Sequence, residues 1–221
     1  MASVSLCMVV GGYRSSIRKT LDSVKNIVDN IIIGNQGAPL PKDLVKKFDI
    51  LEIKLTDKGN ADPDRNLIAS YAAEWVLMLD DDERLSVKLK SILKTLINST
   101  NTDVYFIPFK NIVDSKDIYD ILGDDYHPRL YRKGAVIWQD RLHAHPDIRS
   151  PFMMFLDSKY SIIHARTIKD VINSHKKRQR FINMDQQAFN LENQFLARLG
   201  AKFKRDLIKE VRGMVADFRS I

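Results

Sequence analysis

The sequence predicts an α/β fold with a mainly parallel central sheet and flanking helices. Three observations carry this. The first 80 residues alternate strand-like and helix-like segments, the order that builds parallel sheets. The first strand-like segment, VSLCMVV, is a continuous apolar run rather than an alternating one, as expected of a strand covered on both faces. The fourth run, WVLML (75–79), ends in four acids, Asp80 to Glu83. Open sheets of this kind bind ligands beyond the carboxyl ends of their strands.

The elements follow in order. VSLCMVV (4–10) is a buried strand, stopped by Gly11-Gly12. In SSIRKTLDSVKNIV (15–28), Ile17, Leu21, Val24 and Val28 fall at helical spacing, with Ser15 or Ser16 as the N-cap. NIIIGN (30–35) is the second strand, PKDLVKKF (41–48) a short helix and ILEIKL (50–55) the third strand. Asp62-Pro63 reads as an N-cap followed by proline at the first helical position, and the helix continues through Leu67, Ile68, Tyr71 and Ala72. After Glu83 comes an amphipathic helix, VKLKSILKTLIN (87–98), then a strand, DVYFIPF (103–109). PRLYR (128–132) and AVIWQ (135–139) are two short strands joined near Lys133-Gly134, and the chain is helical from Ile168 onward. There is no internal repeat and no low-complexity tract.

Composition narrows the function classes. The 221 residues are 44% hydrophobic and 29% charged, an ordinary globular balance with enough chain for a sizeable core. A single cysteine, Cys7, allows no intramolecular disulfide and suits a reducing compartment; mid-strand, it reads as inert core. No apolar run nears the roughly 18 residues of a membrane span, and MASVSLCMVV lacks a basic leader region and a cleavage site. A cytoplasmic protein with no transmembrane segment is expected. The net charge of +7 favours anionic partners. Six basic residues and one acid lie between His164 and Arg180. They lack the interleaved aromatics and recognisable module of a nucleic-acid binder, so no nucleic acid is expected. A solvated helix face is the bland alternative for this run. The end at Ile221 carries no stop signal, which leaves open a longer multidomain chain.

The acid cluster is the main functional signal. Adjacent carboxylates at a partly buried site raise one another's pKa values, and a divalent cation removes that cost. Carboxylate oxygens suit Mg²⁺ or Mn²⁺. In a strand or tight turn Asp80 and Asp82 point one way and Asp81 the other, so one acid can hold a metal while its partner holds a neighbouring hydroxyl. The alternative is that Asp82 or Glu83 favours the dipole of the helix beginning near Ser86.

These residues also carry a resemblance. WVLMLDDDERL resembles the W-I-L-x-L-D-A-D-E segment of family-2 glycosyltransferases with the GT-A fold, in particular their lipopolysaccharide-core glucosyltransferase-like branch. VSLCMVV…LDSVKNIVDNIII, DRNLIASYAAEWVLMLDDDE and HPRLYRKGAVIWQDRLHAHP are similar to further motifs of that branch, in collinear order over roughly residues 3 to 185. A further resemblance is to the N-terminal domain of a chlorovirus-encoded glycosyltransferase. The likeness implies one GT-A domain over residues 1–221: a nucleotide-binding half (1–83), an acceptor half (84–165) and a helical tail (166–221). It implies transfer of a hexose from a nucleotide-diphosphate sugar, a UDP-sugar such as UDP-glucose, to a hydroxyl of a glycan or glycoconjugate acceptor, with inversion.

Residue by residue, the resemblance implies that Asp82 coordinates Mn²⁺ or Mg²⁺ on the diphosphate. Asp80, with Asp81 beside it, would bond the donor ribose or assist the metal. Arg65 matches the family's A-R-N arginine and would hold the base or the phosphates; its alternative is a salt bridge to Asp62 or Asp64. Val9 to Gly11 would lie against the base. Asn35 stands where the family carries an acid that reads uracil. His143 matches the family histidine and would orient the acceptor or bind metal. His164 sits where GT-A enzymes supply a late metal ligand or phosphate contact, and Arg166 would close over the diphosphate. One departure matters: the branch ends its motif in H-E, and this chain has His143-Ala144. A base within reach of the acceptor hydroxyl is still required, and Asp140 is the favoured replacement, ahead of His143 and His145. A catalytically weak nucleotide-sugar-binding relative is therefore the second reading. Tyr131 and Trp138 either stack on an acceptor sugar or pack in the core. A phosphohydrolase is disfavoured because the first strand has no nucleophilic Asp.

Overall fold

The structure is a computed structural model that describes residues 2–57, 61–140, 145–182 and 186–216. In chain order its elements are β1 (Val4–Val10), α1 (Ser15–Val24), β2 (Asn30–Asn35), α2 (Lys42–Phe48), β3 (Ile50–Lys54), α3 (Asp62–Ala69), β4 (Trp75–Met78), β5 (Glu83–Leu85), α4 (Val87–Ile97) and β6 (Val104–Val113). Then follow β7 (Lys116–Asp117), α5 (Tyr119–Leu122), β8 (Tyr126–Arg132), β9 (Val136–Ile137), β10 (Asp147–Ile148), β11 (Met153–Phe155), β12 (Ile162–Arg166), α6 (Ile168–Ile182), α7 (Gln186–Phe203) and α8 (Leu207–Ala216). The main sheet runs β3-β2-β1-β4-β8-β6-β12-β5. Its first four strands are parallel. The antiparallel members enter after β4, with β8 against β4 and β6, and β12 against β5.

The chain forms two compact units: Met1–Asn111 with Asp124–Ala165, and Ile112–Gly123 with Arg166–Ile221. In the first, the sheet separates two cores. Ile17, Leu21 and Val24 of α1, Leu44 and Phe48 of α2, and Leu89, Leu93 and Ile97 of α4 pack with Val4, Leu6, Met8 and Val10. Ile68 of α3 packs with Cys7, Val9, Val76, Tyr131 and Trp138. The amphipathic spacing read from the sequence is therefore what docks each helix. Tyr131 and Trp138 are core residues, with Trp138 Nε1 donating to the Tyr131 hydroxyl at 3.2 Å. The second unit has its own core, joining Val113, Ile118 and Ile121 to Ile168, Val171, Leu196, Leu199, Leu207 and Val211. It is built from two stretches of chain, the short excursion 112–123 and the segment from Arg166 onward.

Local differences from the sequence reading have physical causes. Helix α1 ends at Val24 because Asn26 turns left-handed (φ 64°), and its N-cap is Arg14, with neither serine capping. Ala61 caps α3, which frees Asp62 to accept from Arg65 within the first turn. Ser86 does cap α4, its Oγ accepting the Leu89 N–H at 3.2 Å. Glu83 lies in a strand rather than at a helix start. No helix among the described residues is long and apolar enough to cross a membrane.

Candidate active site

Strand β4 is fully buried, so the acids that follow leave the core at a fixed point. A turn, Glu83 N–H to Asp80 O at 3.1 Å, folds them back. The Glu83 side chain closes this turn by accepting the Asp80 N–H at 3.0 Å. The three aspartates then have different nearest partners.

Asp80 lies between two guanidinium groups. Arg65 donates to one oxygen at 2.6 Å and Arg129 to the other at 3.2 Å. Burial works to raise its pKa, but the two cations outweigh burial and hold the carboxyl well below the usual range. Arg65 also bonds Asp62 at 2.6 Å, and Arg129 bonds Glu83 at 2.6 Å. Glu83 is 1% exposed, and burial raises its pKa well above the ordinary value against the pull of Arg129. Among the described residues, Arg129 Nε and Nη1 and Arg65 Nε find no hydrogen-bond partner. Aromatic faces cover these cations: Arg129 lies 5.2 Å from the Phe109 ring centroid and 5.8 Å from Trp138, and Arg65 4.6 Å from Trp138.

Asp82 faces His164. Strand β12 pairs antiparallel with β5 so that His164 stands opposite Glu83, which sets His164 Nε2 3.4 Å from Asp82 Oδ2. Asp81 turns toward Arg14, 3.8 Å away. Burial, reinforced by the charge of Asp82, raises its pKa to about 6.

The chain matches S. aureus TarS with a TM-score of 0.57 and 15% identity over 89% of its length. It matches TarS 1–349 in complex with UDP-GlcNAc with a TM-score of 0.58 and 13% identity over 91%. The fold is GT-A. The chain spans 42% of the first TarS chain and 73% of the second. No family model matches the sequence, and no curated protein does.

Within this GT-A frame, parallel pairing carries the ends of β1, β2 and β4 to one edge of the sheet. Val9, Gly11 and the loop 36–38 lie there. The loop packs so closely that a Cβ on Gly37 would stand 2.4 Å from the Gly11 carbonyl oxygen. Asn35 lies at the end of β2. It is 2% exposed; its amide donates to Ala38 O at 2.8 Å and Glu52 at 2.6 Å, and its oxygen accepts the Gly37 N–H at 2.9 Å. Its side chain shapes the loop and leaves no N–H to read a base. For Arg65 the ion pair with Asp62 is present, but buried and shared with Asp80. Asp140 is exposed just past Trp138. His143 and Ala144 lie outside the described residues. Arg166 belongs to the second unit, its carbonyl accepting the Asp114 N–H at 3.0 Å.

The sequence reading gave no role to Arg129, Asn111 or Asp125. The available signal was Arg129 itself. A lone cation between Pro128 and Leu130-Tyr131 in a buried strand requires an acid, and the nearest buried acids are those after β4.

Proposed function

We propose that the chain is a metal-dependent GT-A glycosyltransferase domain that transfers a hexose, with inversion, from a UDP-sugar to an acceptor hydroxyl. The pairing of Asp82 with His164 at 3.4 Å carries this reading. A carboxylate oxygen facing an imidazole nitrogen fits a divalent cation, and of the two expected ions a nitrogen ligand favours Mn²⁺. Among the described residues no group of three or more His, Cys, Asp or Glu forms a metal cage, so the donor's own phosphates would have to supply further ligands. When bound, the ion would offset the charge growing on the departing diphosphate.

The protein's own groups supply the rest. Asp80, ionised between Arg65 and Arg129, is fixed in place as a hydrogen-bond acceptor for the donor ribose. With Asn35 spent on its loop, contact with the base falls to the backbone around Val9 and Gly11. The acceptor hydroxyl attacks the anomeric carbon as the bond to the diphosphate breaks. The diphosphate keeps the bonding electron pair, and Asp140 takes the hydroxyl proton. A transition state of oxocarbenium character follows by analogy with glycoside chemistry. TarS 1–349 in complex with UDP-GlcNAc makes uridine donors the first to test. The lipopolysaccharide-core branch, UDP-glucose and a cytoplasmic location rest on sequence likeness and composition.

The test is a thermal-shift screen of nucleotide sugars with and without Mn²⁺. Stabilisation that requires both supports the reading, and no metal-dependent shift with any donor sinks it. Ala144, where the related branch has glutamate, favours the second reading, a weak or inactive donor-binding relative. Turnover that is lost in Asp140→Ala counts against it.

A further inference from the structure

A chain of hydrogen bonds runs behind His164, away from Asp82. Asn111, 6% exposed, stands at its centre on β6. Its amide nitrogen donates to Asp125 Oδ2 at 2.8 Å, and its oxygen lies 2.9 Å from His164 Nδ1. The other Asp125 oxygen lies 2.7 Å from His127 Nε2. The Phe109 ring fills the space between the two imidazoles, 4.7 Å from His127 and 5.8 Å from His164.

The protons in this chain can be assigned in order. Burial works to raise the Asp125 pKa, but the hydrogen bonds from His127 and Asn111 outweigh it and lower it. Asp125 is thus a carboxylate, which only accepts. Asn111 must turn its NH₂ toward it, and that turns the amide oxygen toward His164. An oxygen cannot donate, so His164 Nδ1 carries the hydrogen. In the neutral imidazole the lone pair then sits on Nε2, the nitrogen 3.4 Å from Asp82 Oδ2. Two lone pairs that face one another at this distance repel unless a positive charge lies between them.

We propose that Asn111 and Asp125 are positioning residues that lock His164 in the Nδ1–H tautomer and aim its Nε2 lone pair at Asp82 as a nitrogen donor to a divalent cation. The cation part rests on the metal reading given above, whereas the tautomer rests on the hydrogen-bond chain alone. Metal-binding histidines are commonly oriented in this way through their second nitrogen, and removing the orienting partner typically costs about 10- to 100-fold in metal affinity.

The test uses the full chain with ¹⁵N-labelled histidine, metal-free at pH 8.5. Long-range ¹H–¹⁵N correlation spectra report which ring nitrogen carries hydrogen. The five histidines are resolved by the resonances that His164→Gln removes. Wild-type His164 is expected as the Nδ1–H tautomer. Asn111→Ala is expected to abolish that preference and to weaken Mn²⁺ binding, measured by electron paramagnetic resonance, by about 10- to 100-fold. Asp125→Asn frees the Asn111 amide to turn over and should move both readouts in the same direction. It also decides the matter should Asn111→Ala fail to fold. A wild-type Nε2–H tautomer overturns the proposal, as does a folded Asn111→Ala variant whose His164 tautomer is unchanged. Wild-type protein that shows the Nδ1–H tautomer but binds no Mn²⁺, with or without UDP, leaves the relay standing and removes the metal reading instead.

Discussion

Replacing Arg129 by Met tests whether the buried charges beside the site act as one unit. Arg129 is 4% exposed and bonds Glu83 at 2.6 Å and Asp80 at 3.2 Å. Met keeps most of the apolar length and removes the cation. Removing one member of a buried pair typically costs about 3–5 kcal/mol. Two features hold this case near the lower figure: Asp80 keeps Arg65 at 2.6 Å, and Glu83, already pushed toward its neutral form by burial, can take up a proton. The expected loss is about 3 kcal/mol, a large share of the roughly 5–15 kcal/mol that holds a domain together. Urea unfolding followed by tryptophan fluorescence measures it. Both tryptophans, Trp75 and Trp138, lie in the first compact unit, so the signal reports on the unit that was changed. Adding Glu83→Gln to Arg129→Met should restore at least about 1 kcal/mol, within the usual coupling of contacting residues. A single variant within about 1 kcal/mol of wild type, or a double variant no better than the single, refutes the reasoning.

Asp82→Asn and His164→Ala should each abolish the Mn²⁺-dependent part of a UDP-sugar thermal shift, while Asp140→Asn should keep that shift and lose turnover. Gly37→Ala forces a Cβ to within 2.4 Å of a backbone oxygen; it should cost about 1–3 kcal/mol as overpacking does, read as a lower melting temperature. Cys7 is fully buried, and burial raises its thiol pKa from 9.0 to about 12. It should resist thiol reagents at pH 8 until the protein unfolds. Because the folded value lies above the unfolded one, the thiol's contribution is whole below pH 9 and is lost as pH rises toward 12. Wild type should therefore lose stability relative to Cys7→Ala across that window in urea titrations.

The parallel half of the sheet was legible because β1, β2 and β3 are each followed by a helix and β4 is an unbroken apolar run. Strand β5 was not, since three residues, Glu83 to Leu85, carry no pattern of their own; pairing with β12 makes them a strand. Asp82 and His164 could be named singly from motif and position, but their meeting is a consequence of that pairing. That the Asn35 amide donates to Glu52 on β3 could not be read from the sequence, because only the pairing of β2 with β3 brings the two together. Asn111 and Asp125 carry no motif, and only the register of β6 and β8 brings them together.

Strand β1 gives Val4, Leu6, Met8 and Val10 to one core and Cys7 and Val9 to the other, with β2 and β4 bonded along its two edges. Neither core can therefore open while the other stays closed. Cooperative units of this kind exchange their amide hydrogens only when the whole unit unfolds. The amides of β1 should be the slowest in the first unit to take up deuterium, and they should slow further, all together, when a donor binds beyond the strand's end.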